Sequence, residues 1–526
     1  MPYFRWLLIF FVLGLASLAS GLPIPGYKAL DSPHPSTIIL EEQEDGTRNI
    51  SVGDNIKKRQ WKDLPTPHIT LINATPYKWQ KSYIHQYQMP DWEEDFPEHI
   101  YPGDIAPVLI QPSKTYSNWA DSAAEVVYDI VGTSEPMSFM VKFNNRHNTL
   151  KVEFLHSLSS MNNAKGSIHD FEITKFPGTA SAFIIAGQEG HFITNDPPID
   201  WMQTMLPELK DKPLREIVLG RSHHSGLWHS HVSIGLASSP NTVTQSVNLR
   251  EQLGNGGIRV LDFRPLKIGD EFREVHGVRT PDPLGGIMFQ GSEGALLSDM
   301  IQTVNEFNRK YPGELIIWDV HSHDAWNQDY QYRELSDSQE DRVALYNQFL
   351  AVENRVNIPD VVQDVSQMPL GWFIGNKTSA VLINFDDAWR EKDIDVFPGK
   401  REGFITGRIL PLYHPWSDTN NVHNLAKDQI AEFHAKRPVS QSAIIITEWV
   451  LTMRGTQFIK DTILALANAA WRSLFVDLWP ATTGQSYPNW ISMDNVRGNQ
   501  QKTLVMAMNH CLVAKKCGVL GGKVNI

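Results

Sequence analysis

The chain has 526 residues, of which 41% are hydrophobic and 20% charged, and it carries a formal net charge of −12 at pH 7. This length fits two or three domains of ordinary globular composition. The acidic balance argues against nucleic acid as a partner and provides no general attraction to anionic lipid.

The first 20 residues have the order of a secretory signal peptide. Arg5 precedes an apolar run from Trp6 to Leu18, and small residues follow. Because this run is short for a bilayer span of roughly 20 residues, we expect cleavage and secretion rather than a signal anchor. Residues 21–60 are polar and acidic, which predicts a flexible leader. The leader ends in the basic triplet Lys57–Arg59, which is either a processing site or an exposed basic run.

Residues 61–195 contain short runs rich in β-branched and aromatic residues, such as "TLKVEFLHS" and "SAFIIAGQEGHFIT". Gly, Pro and Asn separate these runs, and no helical period interrupts them. Regular short strands with turn signals predict an all-β domain of the antiparallel sandwich type. We find no catalytic constellation in this part, so we expect it to serve packing, surface binding or substrate presentation.

In residues 196–526, strand-like runs alternate with helical ones. One helical stripe is formed by Leu297, Met300, Ile301, Val304 and Phe307, and Gly313 follows it as a stop signal. Alternating strands and helices over about 330 residues predict an α/β fold whose parallel sheet closes as a (β/α) TIM-type barrel.

The two cysteines and three sequons fit a secretory route. Cys511 and Cys517 are the only cysteines, and in an oxidising compartment such a close pair is expected to form one disulfide bond. The sequons at Asn49, Asn73 and Asn376 are candidate glycosylation sites.

The catalytic face of such a barrel lies at the carboxyl ends of its strands, and the predicted strand ends here are unusually polar. Each of these residues alone has a structural explanation, such as a helix cap or a buried histidine. Their coincidence on successive strands predicts an active site. They are Ser222, His223 and His224, then Asp262 and Arg264, His276, then Asp319, His321, His323 and Asp324, Asp386 and Asp387, and Asp494.

Two histidines and an arginine form a coherent set for phosphoryl transfer. One neutral imidazole can take a proton from an attacking hydroxyl, and a protonated one can give a proton to the leaving oxygen. Arginine offers a planar, permanently charged fork to the phosphate oxygens. Carboxylates such as Asp262 and Asp494 can orient the imidazoles.

Four stretches resemble, in order and spacing, the X-region of phosphatidylinositol-specific phospholipase C and its bacterial-type relatives: "LREIVLGRSHHSG", "LREQLGNGGIRVLDFRP", "EVHGV" and "YPGELIIWDVHSH". The resemblance covers residues 201–324 well and the remainder to residue 495 weakly. It implies a phosphodiesterase that cleaves a phosphatidylinositol-like phospholipid or a related glycerophosphodiester, and the signal peptide predicts that this enzyme is secreted.

The resemblance also implies roles for individual residues. His223 matches the general base of the family, His276 its general acid, and Arg264 the arginine that binds the phosphate in the bacterial-type enzymes. Asp262 matches the acid of the second strand. His224, Asp319, His321 and Asp494 are possible supporting residues. Because Arg264 stands where calcium-dependent relatives have an acid, we expect no metal cofactor.

This chain departs from the family pattern at three points. His224 replaces the acid that follows the first histidine, and "GRSH" contains one residue more than the family's glycine–threonine–histidine. The segment "DVHSH" stands where a lysine that binds inositol is expected. These departures leave the head group of the substrate open.

Other functions remain as alternatives. A metal-dependent phosphodiesterase would draw its ligands from His223, His224, His229, His231, His276, His321 and His323, with Asp262 or Asp319. The cation of Arg264 and the absence of a helical HExxH motif argue against a metal. A serine hydrolase lacks the G-x-S-x-G elbow. A non-catalytic protein that binds carbohydrate or a lipid surface would fit the 16 tryptophans.

The expected partners follow from the phosphodiesterase reading. They are a phospholipid or another phosphodiester substrate, and a membrane surface that the protein contacts peripherally. We expect a monomer that does not bind nucleic acid.

Overall fold

The computed structural model describes most of the chain, which forms two units, Met1–Lys62 and Asp63–Ile526. The described residues are 37–42, 48–53, 68–110, 119–173, 180–281, 287–321, 324–326, 332–334, 338–385, 399, 402–454, 457 and 461–518. The first unit contains an antiparallel hairpin of β1 (Thr37–Glu42) and β2 (Arg48–Gly53). The predicted signal peptide and the basic triplet Lys57–Arg59 lie outside the described residues.

The β-rich part of the second unit consists of two sheets that share one apolar core. The larger sheet has six antiparallel strands in the order β10-β9-β8-β7-β4-β5, and the smaller has the order β11-β3-β6. The strands are β3 (His68–Ala74), β4 (Lys78–Tyr87), β5 (His99–Ile100), β6 (Ile105–Leu109), β7 (Ala123–Val131), β8 (Met137–Asn144), β9 (Thr149–His156), β10 (Ile168–Phe171) and β11 (Ala180–Ala186).

The smaller sheet differs from the antiparallel arrangement that the sequence predicted, because β3 and β11 pair in parallel. Both strands are completely buried, and their side chains alternate between two cores. Phe183 and Ile185 of β11 face the core of the β-rich part, whereas Ala182 and Ile184 face the core of the following α/β part. The sheet is therefore a wall between the two cores. A domain boundary near residue 195 stays a prediction.

The α/β part is built on an eight-stranded parallel sheet, so the predicted parallel α/β architecture is confirmed. Its strands are β12 (Leu219–Ser222), β14 (Val260–Phe263), β18 (Leu315–Val320), β21 (Ala380–Phe385), β22 (Phe404–Thr406), β23 (Leu412–Tyr413), β24 (Ile444–Glu448) and β25 (Trp490–Met493). Strands that follow each other in this list pair in parallel, except β22 and β23, and β25 pairs with β12. This is the cyclic order of a barrel. Within the described residues, the one gap in the ring lies between β22 and β23.

A second sheet of six strands is formed by segments that follow the first three barrel strands, in the order β13-β17-β16-β15-β19-β20. Its strands are β13 (Ser233–Ile234), β15 (Pro265–Ile268), β16 (Glu271–Pro281), β17 (Ile287–Leu296), β19 (Asp324–Trp326) and β20 (Tyr332–Glu334). The sequence suggested that "EVHGV" belongs to a barrel strand. That prediction is wrong, because β16 pairs antiparallel with β15 and β17 and not with the barrel.

Helices pack around the barrel, and the predicted stripe from Leu297 to Phe307 is buried on one of them. The α-helices of the described residues are α1 (Trp92–Asp95), α2 (Trp201–Leu209), α3 (Ser239–Thr242), α4 (Leu249–Leu253), α5 (Leu297–Lys310), α6 (Gln339–Phe349), α7 (Leu370–Ile374), α8 (Val422–Lys436), α9 (Ile463–Ser473), α10 (Trp479–Ala481) and α11 (Gln500–Met508). Among the described helices, none has the length and apolar character needed to cross a bilayer.

Candidate functional site

The polar residues predicted from the strand ends do come together at the carboxyl ends of the barrel strands. His223 follows β12, Asp262 lies in β14 with Arg264 just beyond it, and Asp494 follows β25. Because β25, β12 and β14 are adjacent parallel strands, their ends meet at one edge of the sheet. His276 reaches the same place from β16 of the second sheet.

His223 is held by a buried carboxylate. Its Nδ1 lies 2.8 Å from Oδ1 of Asp494, while 13% of the His223 side chain stays exposed. Since the carboxylate accepts a hydrogen bond, Asp494 fixes the tautomer with a proton on Nδ1 and leaves the lone pair on Nε2. Burial raises the pKa of Asp494, against the attraction of the His223 ring. The pair has the orientation of a general base with its supporting acid.

His276 is fixed by a backbone carbonyl instead of a carboxylate. Its Nδ1 donates to the carbonyl oxygen of Thr242, at 2.9 Å, so the other ring nitrogen is available for proton transfer. The centroids of the His276 and His223 rings are 6.1 Å apart. Burial, together with the neighbouring His223, lowers the pKa of His276 to about 3. In this state of the site, His276 is therefore neutral at pH 7.

Arg264 is clamped by the carboxylate two residues before it. Nε and Nη2 of Arg264 lie 3.3 and 3.2 Å from the two oxygens of Asp262, a forked arrangement. Asp262 is fully buried, and 23% of the Arg264 side chain is exposed. Although burial alone would raise it, Arg221 and Arg264 hold the pKa of Asp262 well below its usual range. The exposed part of Arg264 keeps donors for an anionic ligand.

His224 is an internal residue with an unusual backbone. Its φ of +44° is rare outside glycine, and its N–H donates to Oδ2 of Asp262 at 3.0 Å. Its ring stacks on His276 with centroids 4.2 Å apart, and its Nδ1 lies 2.9 Å from Oε1 of Glu274. Burial and the nearby Arg264 lower the pKa of His224, while burial and Asp262 raise the pKa of Glu274. Both changes favour the uncharged forms of His224 and Glu274. The pair therefore forms a hydrogen bond between a neutral imidazole and a neutral carboxyl group.

Sequence reasoning missed Glu274, although it lies two residues before His276. Residues i and i+2 of a strand share a face, and this rule would have placed the carboxyl group beside the histidine. Glu448 was also missed, although it lies in "SAIIITEWVL", one of the strand-like runs of the α/β part. It ends β24, so the rule of polar strand ends applies to it as well.

A buried arginine connects the remaining polar residues. Arg221 of β12 is 0% exposed, and its guanidinium lies within 3.4 Å of Asp262, Asp319 and Glu448. His321 packs against the same group, with Nε2 3.0 Å from Nη2 of Arg221 and 3.2 Å from Asp319. The predicted supporting residues Asp319 and His321 thus lie beside the site. Arg221 could not be recognised from the sequence, because it lies inside a run that otherwise predicts only a buried strand.

Other predicted residues do not contribute to this cluster. His229 and His231 lie exposed in the loop after β12, while His323, Asp386 and Asp387 fall outside the described residues. No group of three or more His, Cys, Asp or Glu side chains suited to holding a metal ion occurs among the residues that the structure describes.

The C-terminal cysteines form the predicted disulfide bond, Cys511–Cys517. The sequon at Asn73 is unsuitable in the folded chain, because the side chain is fully buried and its amide donates to Tyr77 and Ile100 carbonyls. Asn376 is exposed, and its glycosylation stays a prediction, as does that of Asn49 in β2.

Three solved structures illustrate what the chain is similar to. A mutant of the phosphatidylinositol-specific phospholipase C from Staphylococcus aureus is 13% identical with a TM-score of 0.42, over 59% of this chain and 97% of that one. The Listeria monocytogenes phosphatidylinositol-specific phospholipase C is 14% identical with a TM-score of 0.37, over 59% and 98%. A second Staphylococcus aureus structure, which concerns membrane binding by that enzyme, is 13% identical with a TM-score of 0.42. The match covers 59% of this chain and 97% of that one. No protein-family model and no curated protein matches the chain.

Proposed function

We propose that this protein is a secreted phosphodiesterase of the phospholipase C type, with His223 as general base, His276 as general acid and Arg264 as the group that binds the phosphate. The observation that carries the proposal is a difference in burial between the reacting groups and the carboxylates that hold them. The three proposed reacting groups are only partly buried, whereas the carboxylates of Asp494 and Asp262 that hold two of them are buried. Buried supporters that fix accessible groups are typical of a preorganised catalytic site.

His223 begins the proposed reaction. While the Nδ1–H of His223 donates to Asp494, the Nε2 lone pair takes a proton from a substrate hydroxyl. The hydroxyl oxygen then attacks phosphorus. Asp494 stabilises the imidazolium that forms. For an inositol phospholipid, the attacking group is a ring hydroxyl and the product is a cyclic inositol phosphate.

His276 ends the proposed reaction by giving a proton from its second nitrogen to the leaving oxygen. A pKa of about 3 means that the free protein holds this group neutral at pH 7. An anionic phosphate beside the ring favours the imidazolium and raises that pKa. We therefore propose that His276 becomes an acid only after the substrate binds, which also explains why its partner is a neutral carbonyl.

Arg264 supplies fixed positive charge where negative charge grows on the phosphate oxygens. Asp262 aligns the guanidinium by two hydrogen bonds, so the cation is oriented before the substrate arrives. This arrangement supports a reaction that needs no divalent ion, and we propose no metal cofactor.

Apolar side chains near His276 support contact with a lipid surface. Leu236 and Val278 are 60% and 56% exposed. They lie next to each other, since the Leu236 N–H donates to Gln290 and Gln290 pairs with Val278 across the β16–β17 ladder. Because Val278 follows His276 by two residues on β16, this apolar surface borders the site. We propose that a monomer touches the membrane peripherally here.

The test is phosphorus NMR of the purified protein with phosphatidylinositol vesicles in a buffer that contains a chelator. We expect a cyclic phosphate signal that the His223→Ala variant lacks. His231→Ala is the matched control, because this histidine is exposed in the same loop, and we expect it to keep the signal. Turnover that requires an added divalent ion would contradict the arginine mechanism. Absence of any product from phosphatidylinositol and from a panel of other phosphodiesters would overturn the proposed activity.

A further inference from the structure

Arg221 is the most deeply enclosed cation at the site, and the proposed reaction does not use it. Its side chain is 0% exposed, and its guanidinium contacts residues from four other barrel strands. Nη2 lies 3.1 Å from Asp262 and 2.9 Å from Asp319, and Nη1 lies 3.4 Å from Glu448 and 2.8 Å from the hydroxyl of Ser492. One planar group thus ties together the carboxyl ends of five strands.

The contact with Glu448 has a consequence for the proposed base. Oε1 of Glu448 lies 3.9 Å from Nε2 of His223, the nitrogen that must keep its lone pair. Oε2 of the same carboxylate is bound by Arg221 and, at 2.6 Å, by His414. A carboxylate free to move by about 1 Å would accept a hydrogen bond from a protonated Nε2 and hold the proton there. Restraint of Glu448 therefore keeps the base competent.

The contact with Asp262 concerns the other half of the site. Asp262 accepts hydrogen bonds from Arg264 and from the N–H of His224, so its position determines where the phosphate-binding fork points. Arg221 binds the oxygen Oδ1 of this carboxylate. The same guanidinium hence fixes the carboxylates next to the proposed base and next to the proposed phosphate-binding arginine.

We propose that Arg221 is a positioning residue, whose guanidinium holds Glu448 back from the Nε2 atom of His223 and at the same time holds Asp262 on Arg264. The inference rests on the proposed function for the roles of His223 and Arg264. Its core is a statement about proton affinity at His223, which can be measured without any substrate.

The charged and titratable groups that face His223 define the experiment. They are Asp494 at Nδ1, Glu448 at Nε2, and the rings of His224 and His276 at centroid distances of 4.5 and 6.1 Å. Arg221 acts through Glu448, whereas the other groups do not contact Arg221. A variant of Arg221 should therefore change His223 only when Glu448 carries its charge.

The measurement is the pH at which the His223 ring takes up its second proton, followed by carbon-detected NMR of protein labelled at histidine and assigned with His223→Ala. The proteins are the wild type, Arg221→Gln, Glu448→Gln and the double variant. We expect Arg221→Gln to move the midpoint upward by on the order of one pH unit. In the Glu448→Gln background, we expect the same substitution to leave the midpoint unchanged.

Arg259→Gln is the matched control, because Arg259 is also fully buried and paired with a carboxylate, Glu314. It lies at the amino end of β14, opposite the site, and should not move the His223 midpoint. If Arg221→Gln does not fold, the double variant still decides the matter, since it loses one charge of each sign. Its midpoint should equal that of Glu448→Gln.

An equal shift of the midpoint in the wild-type and Glu448→Gln backgrounds would overturn the proposal, because Arg221 would then act on His223 directly. The absence of a shift in both backgrounds would also overturn it. Once a substrate is known, kcat of Arg221→Gln should fall about 10- to 100-fold, with partial recovery in the double variant. If no phosphodiester is cleaved, the proposed function fails, while the titration result stands by itself.

Discussion

The low pKa of His276 predicts a measurable loss of stability in mild acid. The folded chain protonates this ring only near pH 3, whereas the unfolded chain does so near pH 6.5. Between these values the unfolded state holds one more proton, so the free energy of unfolding falls as the pH falls. One proton corresponds to about 1.4 kcal/mol per pH unit. Over the whole interval, and with allowance for the half-buried ring, His276 alone accounts for about 4 kcal/mol.

His276→Asn removes this titration and keeps a donor for the Thr242 carbonyl. We expect the variant to be about as stable as the wild type or less stable at pH 7, but to lose less stability between pH 6 and pH 4, by about 1.4 kcal/mol per unit. Urea unfolding followed by tryptophan fluorescence at several pH values measures the difference. His231→Asn, at an exposed position, should behave like the wild type. Parallel pH dependences for His276→Asn and the wild type would refute the reasoning.

Three further outcomes are expected. Asp494→Asn should lower kcat by about 10²- to 10⁴-fold while folding is retained in circular dichroism, because the amide no longer stabilises a charged His223. Arg264→Lys should lower kcat/KM at least about tenfold in a vesicle assay, since an ammonium cannot bind Asp262 and a phosphate as a planar fork. Cys511→Ser with Cys517→Ser should lower the free energy of unfolding by about 2 kcal/mol, the amount expected for so short a loop, as seen in urea titrations. Unchanged values would contradict each one.

The strand-end rule predicted much of the site, because it depends only on where buried runs stop. His223, Asp262, Arg264 and Asp494 all lie at such ends, and the structure brings them together. His276 was placed correctly in space but on the wrong sheet. A strand that pairs antiparallel above a barrel has the same local sequence as one inside it, so pairing partners cannot be read from the run alone.

The residues that the sequence did not reveal are those whose role depends on partners far along the chain. Arg221 lies in a short buried strand, and only its neighbours Asp319 and Glu448, about 100 and 230 residues later, explain a cation there. The parallel pairing of β3 with β11 was missed for the same reason. More than 100 residues separate the two strands, and neither run by itself shows which strand it pairs with. Local sequence patterns therefore predict strands and helices, whereas buried ion pairs and strand partners depend on contacts between distant parts of the chain.

The wall formed by β3 and β11 has a consequence for how this protein can vary. The β11 backbone N–H of Ala182 donates to the Gln500 side chain of α11 at 2.7 Å, so the helix after the last barrel strand lies against the sheet. Alanines at positions 180, 182 and 186 leave room for that approach. Larger residues there would push the helix away from β25, the strand that precedes Asp494. Changes in the β-rich part are thus restricted by the position of Asp494, which holds the proposed general base. A chain begun at residue 196 would expose the face of α11 that packs on this sheet.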